Sequence, residues 1–212
     1  QWDSGYSNAS TATTSTIAAP GSFAASAVTD TRTDLSWADN TTDETGFKIE
    51  RCEGEGCSNY VEITTAAANA TTYSNTGLTP SVNYCYRVRA YKTATCGWNT
   101  VYSNESCDQT YSASPTALTA TPVNSMVIQL NWTDNAADED GYELEVQIFN
   151  GKFVRIATLA ADAASFTDTM SIEPEKQYKY RVRAYRGADN SPYSNEATAT
   201  TPAYLTGDST CY

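Results

Sequence analysis

The chain has 212 residues, long enough for two modest domains, and its 15 Tyr and 4 Trp among many Thr and Val favour pleated, half-buried strands over helices. A formal net charge of −12 and the absence of His exclude a basic surface for nucleic acid or anionic lipid, and remove the commonest general base and transition-metal ligand. No apolar run approaches the roughly 20 residues that span a bilayer, so no membrane insertion is expected.

Residues 1–19 form a Ser/Thr/Ala-rich arm with too little apolar content for a core of its own. One reading is a flexible or glycosylated leader. The other is a docking arm, in which Trp2 and Tyr6 anchor the β-compatible stretch from Ser10 to Ala18 on a neighbour's open sheet edge. The start, Gln1-Trp2-Asp3, carries neither the basic nor the apolar region of a signal peptide, as expected of a mature chain.

From residue 20 onward, short segments alternate apolar and polar residues between runs of turn formers. Leu35 and Trp37, then Phe47 and Ile49, then Tyr84, Tyr86, Val88 and Ala90 each repeat at a spacing of two, which predicts strands and an all-β fold. The same order returns 95 residues later. Leu35-Ser-Trp37-Ala-Asp39-Asn40 recurs as Leu130-Asn-Trp132-Thr-Asp134-Asn135, and Gly46-Phe47 as Gly141-Tyr142. One deletion later, Tyr84-Cys-Tyr86-Arg-Val88-Arg-Ala90 recurs as Tyr178-Lys-Tyr180-Arg-Val182-Arg-Ala184, and Tyr102-Ser-Asn-Glu105 as Tyr193-Ser-Asn-Glu196. The repeat predicts a first module over 20–111, a second over 112–202 and a C-terminal tail over 203–212.

A Trp on the second strand, a Leu78-x-Pro80-x-x-x-Tyr84-x-Tyr86-Arg-Val88-x-Ala90 stretch and a Ser-Asn-Glu last strand resemble fibronectin type III modules, here of a secreted bacterial surface or appendage protein. The resemblance implies two tandem seven-stranded β-sandwiches. It makes Tyr84 and Tyr178 corner tyrosines whose hydroxyls bond nearby backbone, and it places the outward-alternating Arg87, Arg89, Arg181 and Arg183 beside cross-strand acids.

In the fibronectin-like register Cys85 points outward between Tyr84 and Tyr86 and faces Cys107 on the adjacent last strand, which implies a disulfide between them. Cys52 and Cys57 flank Glu53-Gly-Glu-Gly56, and its two glycines permit a tight return that pairs them too. Cys96 and Cys211 remain. Extended modules would set them on the order of 50 Å apart, whereas a disulfide tolerates about 7 Å between Cα atoms. An intrachain bond therefore needs a folded-back pair, an interchain bond makes a head-to-tail filament, and the third reading leaves the two thiols free or otherwise paired. Trp98, close to Cys96, either anchors such an interface or covers the base of its own loop.

Two acidic loops, Asp39-Asn40-Thr-Thr-Asp43-Glu44 and Asp134-Asn135-Ala-Ala-Asp138-Glu139-Asp140, offer oxygen ligands, so Asp39, Asp43, Asp134 and Asp138 are weak calcium candidates. Turn capping by Asp and Asn, with a Glu tying down the loop, explains the same residues. Arg186-Gly-Ala-Asp189 reads as an exposed turn. No nucleophile, base and oxyanion site can be assembled, so neither an enzyme nor a cofactor is expected. The leading expectation is an extracellular structural or adhesive protein that self-associates at Trp2, Tyr6, Cys96, Trp98 and Cys211. The alternative is a non-catalytic spacer or carbohydrate-binding accessory region of a secreted depolymerase, with polysaccharide or a cell surface as partner.

Overall fold

A computed structural model describes residues 18–93, 97–148 and 151–204. The described residues contain strands and no helix. The first module pairs a three-stranded sheet, β1 (Gly21–Thr29), β2 (Arg32–Ala38) and β5 (Thr72–Thr76), in the order β1-β2-β5. Its second sheet runs β4 (Val61–Ala67), β3 (Gly46–Glu53), β6 (Asn83–Lys92), and the last strand is split into two pieces, β7 (Trp98–Asn99) and β8 (Ser106–Gln109), both paired with β6.

The second module repeats this arrangement. β9 (Thr116–Asn124), β10 (Val127–Thr133) and β13 (Ser165–Asp168) form one sheet; β11 (Gly141–Ile148), β12 (Val154–Ala160), β14 (Gln177–Arg186), β15 (Asp189–Asn190) and β16 (Ala197–Thr200) form the other. Every pairing is antiparallel.

The period of two decides which side chains meet. Thr33, Leu35 and Trp37 of β2 and Tyr84, Tyr86, Val88 and Ala90 of β6 are buried, and Ile128, Leu130 and Trp132 with Tyr178, Tyr180, Val182 and Ala184 do the same in the second module. Trp37 leans on Phe47 with ring centres 5.5 Å apart and Trp132 on Tyr142 at 5.8 Å, both tilted, the geometry that suits ring quadrupoles. A Cβ at Gly46 would stand 2.2 Å from the Ala66 carbonyl oxygen, and one at Gly141 would stand 2.0 Å from that of Leu159. The repeated Gly-aromatic pair therefore answers a close backbone approach at the start of β3 and of β11.

The corner tyrosines make the same bond in both modules. The Thr79 N–H donates to the Tyr84 hydroxyl at 3.0 Å and the Glu173 N–H to the Tyr178 hydroxyl at 2.7 Å. The second buried tyrosine differs: Tyr86 accepts from the Asn75 amide at 3.0 Å, whereas Tyr180 donates to the Asp168 carboxylate at 2.8 Å.

Among the described residues, two disulfides staple the first module, Cys52 to Cys57 and Cys85 to Cys107. Cys85 lies on the face of β6 opposite Tyr84 and Tyr86, but it is buried rather than outward in solvent, because the Cys52–Cys57 bridge sits against it. In the second module the matching positions, abreast on β11, β14 and β16, are Gln147, Lys179 and Thr198.

Candidate functional site

Three surfaces carry the residues singled out by the sequence. The first is the outer face of each large sheet. The Arg87 guanidinium lies 4.1 Å from the ring centre of Tyr60 and 3.9 Å from that of Tyr102, and Arg181 lies 4.0 Å from Phe153 and 3.8 Å from Tyr193. Glu50 binds Arg87 at 2.8 Å and accepts from the Tyr102 hydroxyl at 2.5 Å; Glu145 binds Arg181 at 2.6 Å and accepts from Tyr193 at 2.8 Å. Burial works against ionisation of Glu50, yet the Tyr102 hydroxyl and Arg87 outweigh it and hold the carboxyl below its ordinary value. The Tyr60 hydroxyl is pushed up to about 12 by burial and by Glu105. Cations therefore occupy ring faces that would otherwise be open for stacking on a ligand.

The second surface is the pair of acidic loops, where each calcium candidate has a protein partner. Asp39 accepts from the Thr41 N–H at 2.9 Å, and Asp43 pairs with Lys92 at 2.5 Å. Asp134 accepts from the Ala136 N–H at 2.9 Å and from the Tyr142 hydroxyl. Buried Glu44 and Glu139 tie each loop across the sheet by accepting from the N–H of Asn69 at 2.8 Å and of Asp162 at 2.9 Å. The structure thus gathers Asp134 with Glu139 and Asp162, whose carboxylate oxygens lie within 4.8 Å of one another, rather than with Asp138.

Asp138 belongs to the third surface, the joint between modules. It accepts from the Ser81 hydroxyl of the first module at 2.7 Å and pairs with Arg186 of its own module. Arg186 also reaches the Thr110 carbonyl oxygen at 3.5 Å. Across the linker, the Asp30 carboxylate accepts from the Ser114 N–H at 3.2 Å and its hydroxyl at 2.7 Å. Linker residues Thr110, Ser112 and Pro115 are buried. Burial opposes the charge on Asp138, but the Ser81 hydroxyl and the Arg186 guanidinium prevail and hold its carboxyl below the ordinary value. Gly187, Ala188 and Asp189 form the exposed turn expected of them, whereas Arg186, which pairs with Asp189 in the β14–β15 ladder, is a joint residue.

Trp2, Tyr6, Cys96 and Cys211 lie outside the described residues. Trp98 is half-buried, packs against the core of the first module, and lines a groove of about 340 Å³ with Lys48, Glu62, Tyr91, Lys92 and Asn99. Ser81, Asp30 and Ser114 went unread in the sequence, because their partners sit 57 and 84 residues away and nothing within one repeat marks them. The one available signal was the repeat itself. Asp43 with Lys92 and Asp138 with Arg186 are equivalent pairs, and the second pair stands where another module precedes it.

Two curated bacterial proteins are similar to this chain. "Exoglucanase B" of Cellulomonas fimi is 30% identical over 204 residues, which cover 90% of this chain and 17% of that protein. "Alpha-amylase" of Niallia circulans is 41% identical over 96 residues, 43% of this chain and 7% of that protein. The chain thus spans less than a fifth of the length of either relative. Among solved structures, a segment of two fibronectin type III domains from chicken tenascin is 14% identical with a TM-score of 0.49, covering 87% of this chain and all of that one. The family model described as "Fibronectin type III domain" matches residues 18–103 and again 113–200. Twice matched over most of its length, the chain belongs to the fibronectin type III domain family.

Proposed function

We propose that this chain is a non-catalytic spacer within a secreted polysaccharide-degrading enzyme, holding other parts of that enzyme at a fixed separation. The observation that carries the reading is the joint: Asp138, Ser81 and Arg186 on one side and Asp30 with Ser114 on the other tie two sandwiches together through a buried linker. Contacts between tandem domains ordinarily permit motion, so a linker tied by hydrogen bonds and an ion pair on both sides points to a part whose purpose is geometry. The likeness of 90% of the chain to a minor part of an exoglucanase supports the enzyme context. Two disulfides suit an extracellular location.

The spacer is favoured over a sugar-binding module because arginines occupy ring faces of Tyr60, Tyr102, Phe153 and Tyr193. Co-sedimentation of the purified chain with insoluble cellulose and with starch granules tests this. The spacer stays in the supernatant with both. Depletion by either polysaccharide, relieved by the matching soluble oligosaccharide, would overturn the reading in favour of a binding module.

A further inference from the structure

The two disulfides of the first module are neighbours, and their geometry contains a third bond. Cys52 on β3 stands directly opposite Cys85 on β6, and Cys85 stands directly opposite Cys107 on β8, so three cysteines lie abreast on adjacent strands. The sulfurs of Cys52, Cys57 and Cys85 all lie within 4.8 Å of one another. The Gly54 N–H bonds to the Asn83 carbonyl. Alternation along the ladder then makes Cys52 and Cys85, two residues further in, a hydrogen-bonded pair with Cα atoms about 5.5 Å apart. That separation accommodates a disulfide.

Exposure orders the four cysteines. The inner residues, Cys52 and Cys85, are 3% and 4% exposed. The outer two differ from them: Cys107 is exposed and Cys57 is half-buried. A thiolate from solvent therefore meets an outer sulfur first, and the group it expels is an inner thiolate already beside the other bridge.

We propose that Cys107 is a thiolation site for low-molecular-weight thiols, coupled through Cys85 and Cys52 to the release of Cys57. The incoming thiolate attacks the Cys107 Sγ, forming a mixed disulfide there and breaking the Cys85–Cys107 bond, whose electron pair leaves on the Cys85 Sγ. That thiolate attacks the Cys52 Sγ, forms Cys52–Cys85 and expels the Cys57 thiolate, which takes the proton lost by the incoming thiol. One thiol is consumed, one is released, the number of disulfides held by the chain and its adduct rises with the mixed bond and falls with the broken one, and no outside oxidant or reductant is used. The remaining internal bond clamps β3 directly to β6, while the hairpin at Cys57 and the last strand at Cys107 are freed from their staples.

The test uses the full chain with Cys96→Ser and Cys211→Ser, so that no other thiol takes part. It is incubated with glutathione, quenched with acid, alkylated and mapped as peptides without reduction. The expected product is a Cys52–Cys85 peptide, absent at the start, that appears together with alkylated Cys57 and glutathionylated Cys107 before any chain with both Cys52 and Cys57 alkylated. Two further substitutions approach the same bond from opposite ends without added thiol. Cys107→Ser leaves Cys85 free and should convert to Cys52–Cys85 with Cys57 alkylated; Cys57→Ser leaves Cys52 free and should convert to Cys52–Cys85 with Cys107 alkylated. Retention of Cys52–Cys57 with Cys85 alkylated in the first variant would overturn the proposal. So would full reduction of the glutathione-treated chain without Cys52–Cys85 at any time, a result that does not depend on whether either variant folds.

Discussion

The two modules share a frame and differ in how its seams are closed. In the first, the last strand caps the edge of β1 with side chains. Asn104 accepts from the Phe23 N–H at 3.2 Å, Ser106 from Ala25 at 3.0 Å and Asp108 from Ala27 at 2.7 Å. In the second, Asn195 repeats the first bond, to Leu118 at 3.0 Å, but Ala197 and Ala199 stand where Ser106 and Asp108 would, and Pro122 replaces Ala27 with a residue that has no N–H to cap. The disulfides show the same contrast, with Gln147, Lys179 and Thr198 at the places of Cys52, Cys85 and Cys107. Packing dictates the interior at every second residue, whereas an edge has several chemical solutions, and the two copies have taken different ones.

That contrast can be broken most severely in the interior, where the copies should respond alike. Trp37→Ala and Trp132→Ala each remove a buried ring and should each cost about 3–5 kcal/mol in the module that carries them, read by amide hydrogen exchange resolved by module. A loss confined to one copy would show that the frames are not equivalent. Reduction of the disulfides comes next and should split the modules, with the first losing about 2–4 kcal/mol and the second unchanged in urea unfolding. The seam gives a smaller split. Asp108→Ala strands the Ala27 N–H and should cost about 1–3 kcal/mol, whereas Ala199→Asp in the second module should not gain the matching bond and should itself destabilise that module, because Ala199 is buried in its core and Pro122 offers no N–H to the new carboxylate.

The smallest effect concerns pH. The Asp138 carboxyl sits below its ordinary value in the folded chain. Its contribution is therefore present above the usual aspartate value of about 4 and is lost as pH falls through the lower folded value. Acidification should release the joint before either module unfolds, seen as lower protection factors at linker amides once the slower intrinsic exchange at acidic pH is divided out. Equal protection of the linker at neutral and acidic pH would remove Asp138 from the latch.

The fold was legible because its signals are local and repeated. Trp37, Tyr84, Tyr86 and their partners 95 and 94 residues on carry the period of two, and Gly46 and Gly141 mark a close approach that any side chain would block. The acidic loops were half legible. Asp39 and Asp134 cap turns as their chemistry predicts, but whether Asp43 or Asp138 meets a partner module depends on what precedes it in space. The arginine ladders were legible as outward-facing charge with aromatic company, while the identity of the rings, Tyr60 and Phe153, depends on a neighbouring strand placed by the fold. The joint was legible only as the Asp138–Arg186 pair that the repeat marks, since Ser81 and Asp30 have no special spacing within their own module.

The rigid joint is the claim on which the spacer reading stands, and residual dipolar couplings of the weakly aligned chain at neutral pH test it most directly. A single alignment tensor should fit the amides of both modules, and Asp138→Ala, which removes the acceptor for Ser81 and the partner of Arg186, should divide it into two tensors of different magnitude. Two unequal tensors in the unsubstituted chain would contradict the account.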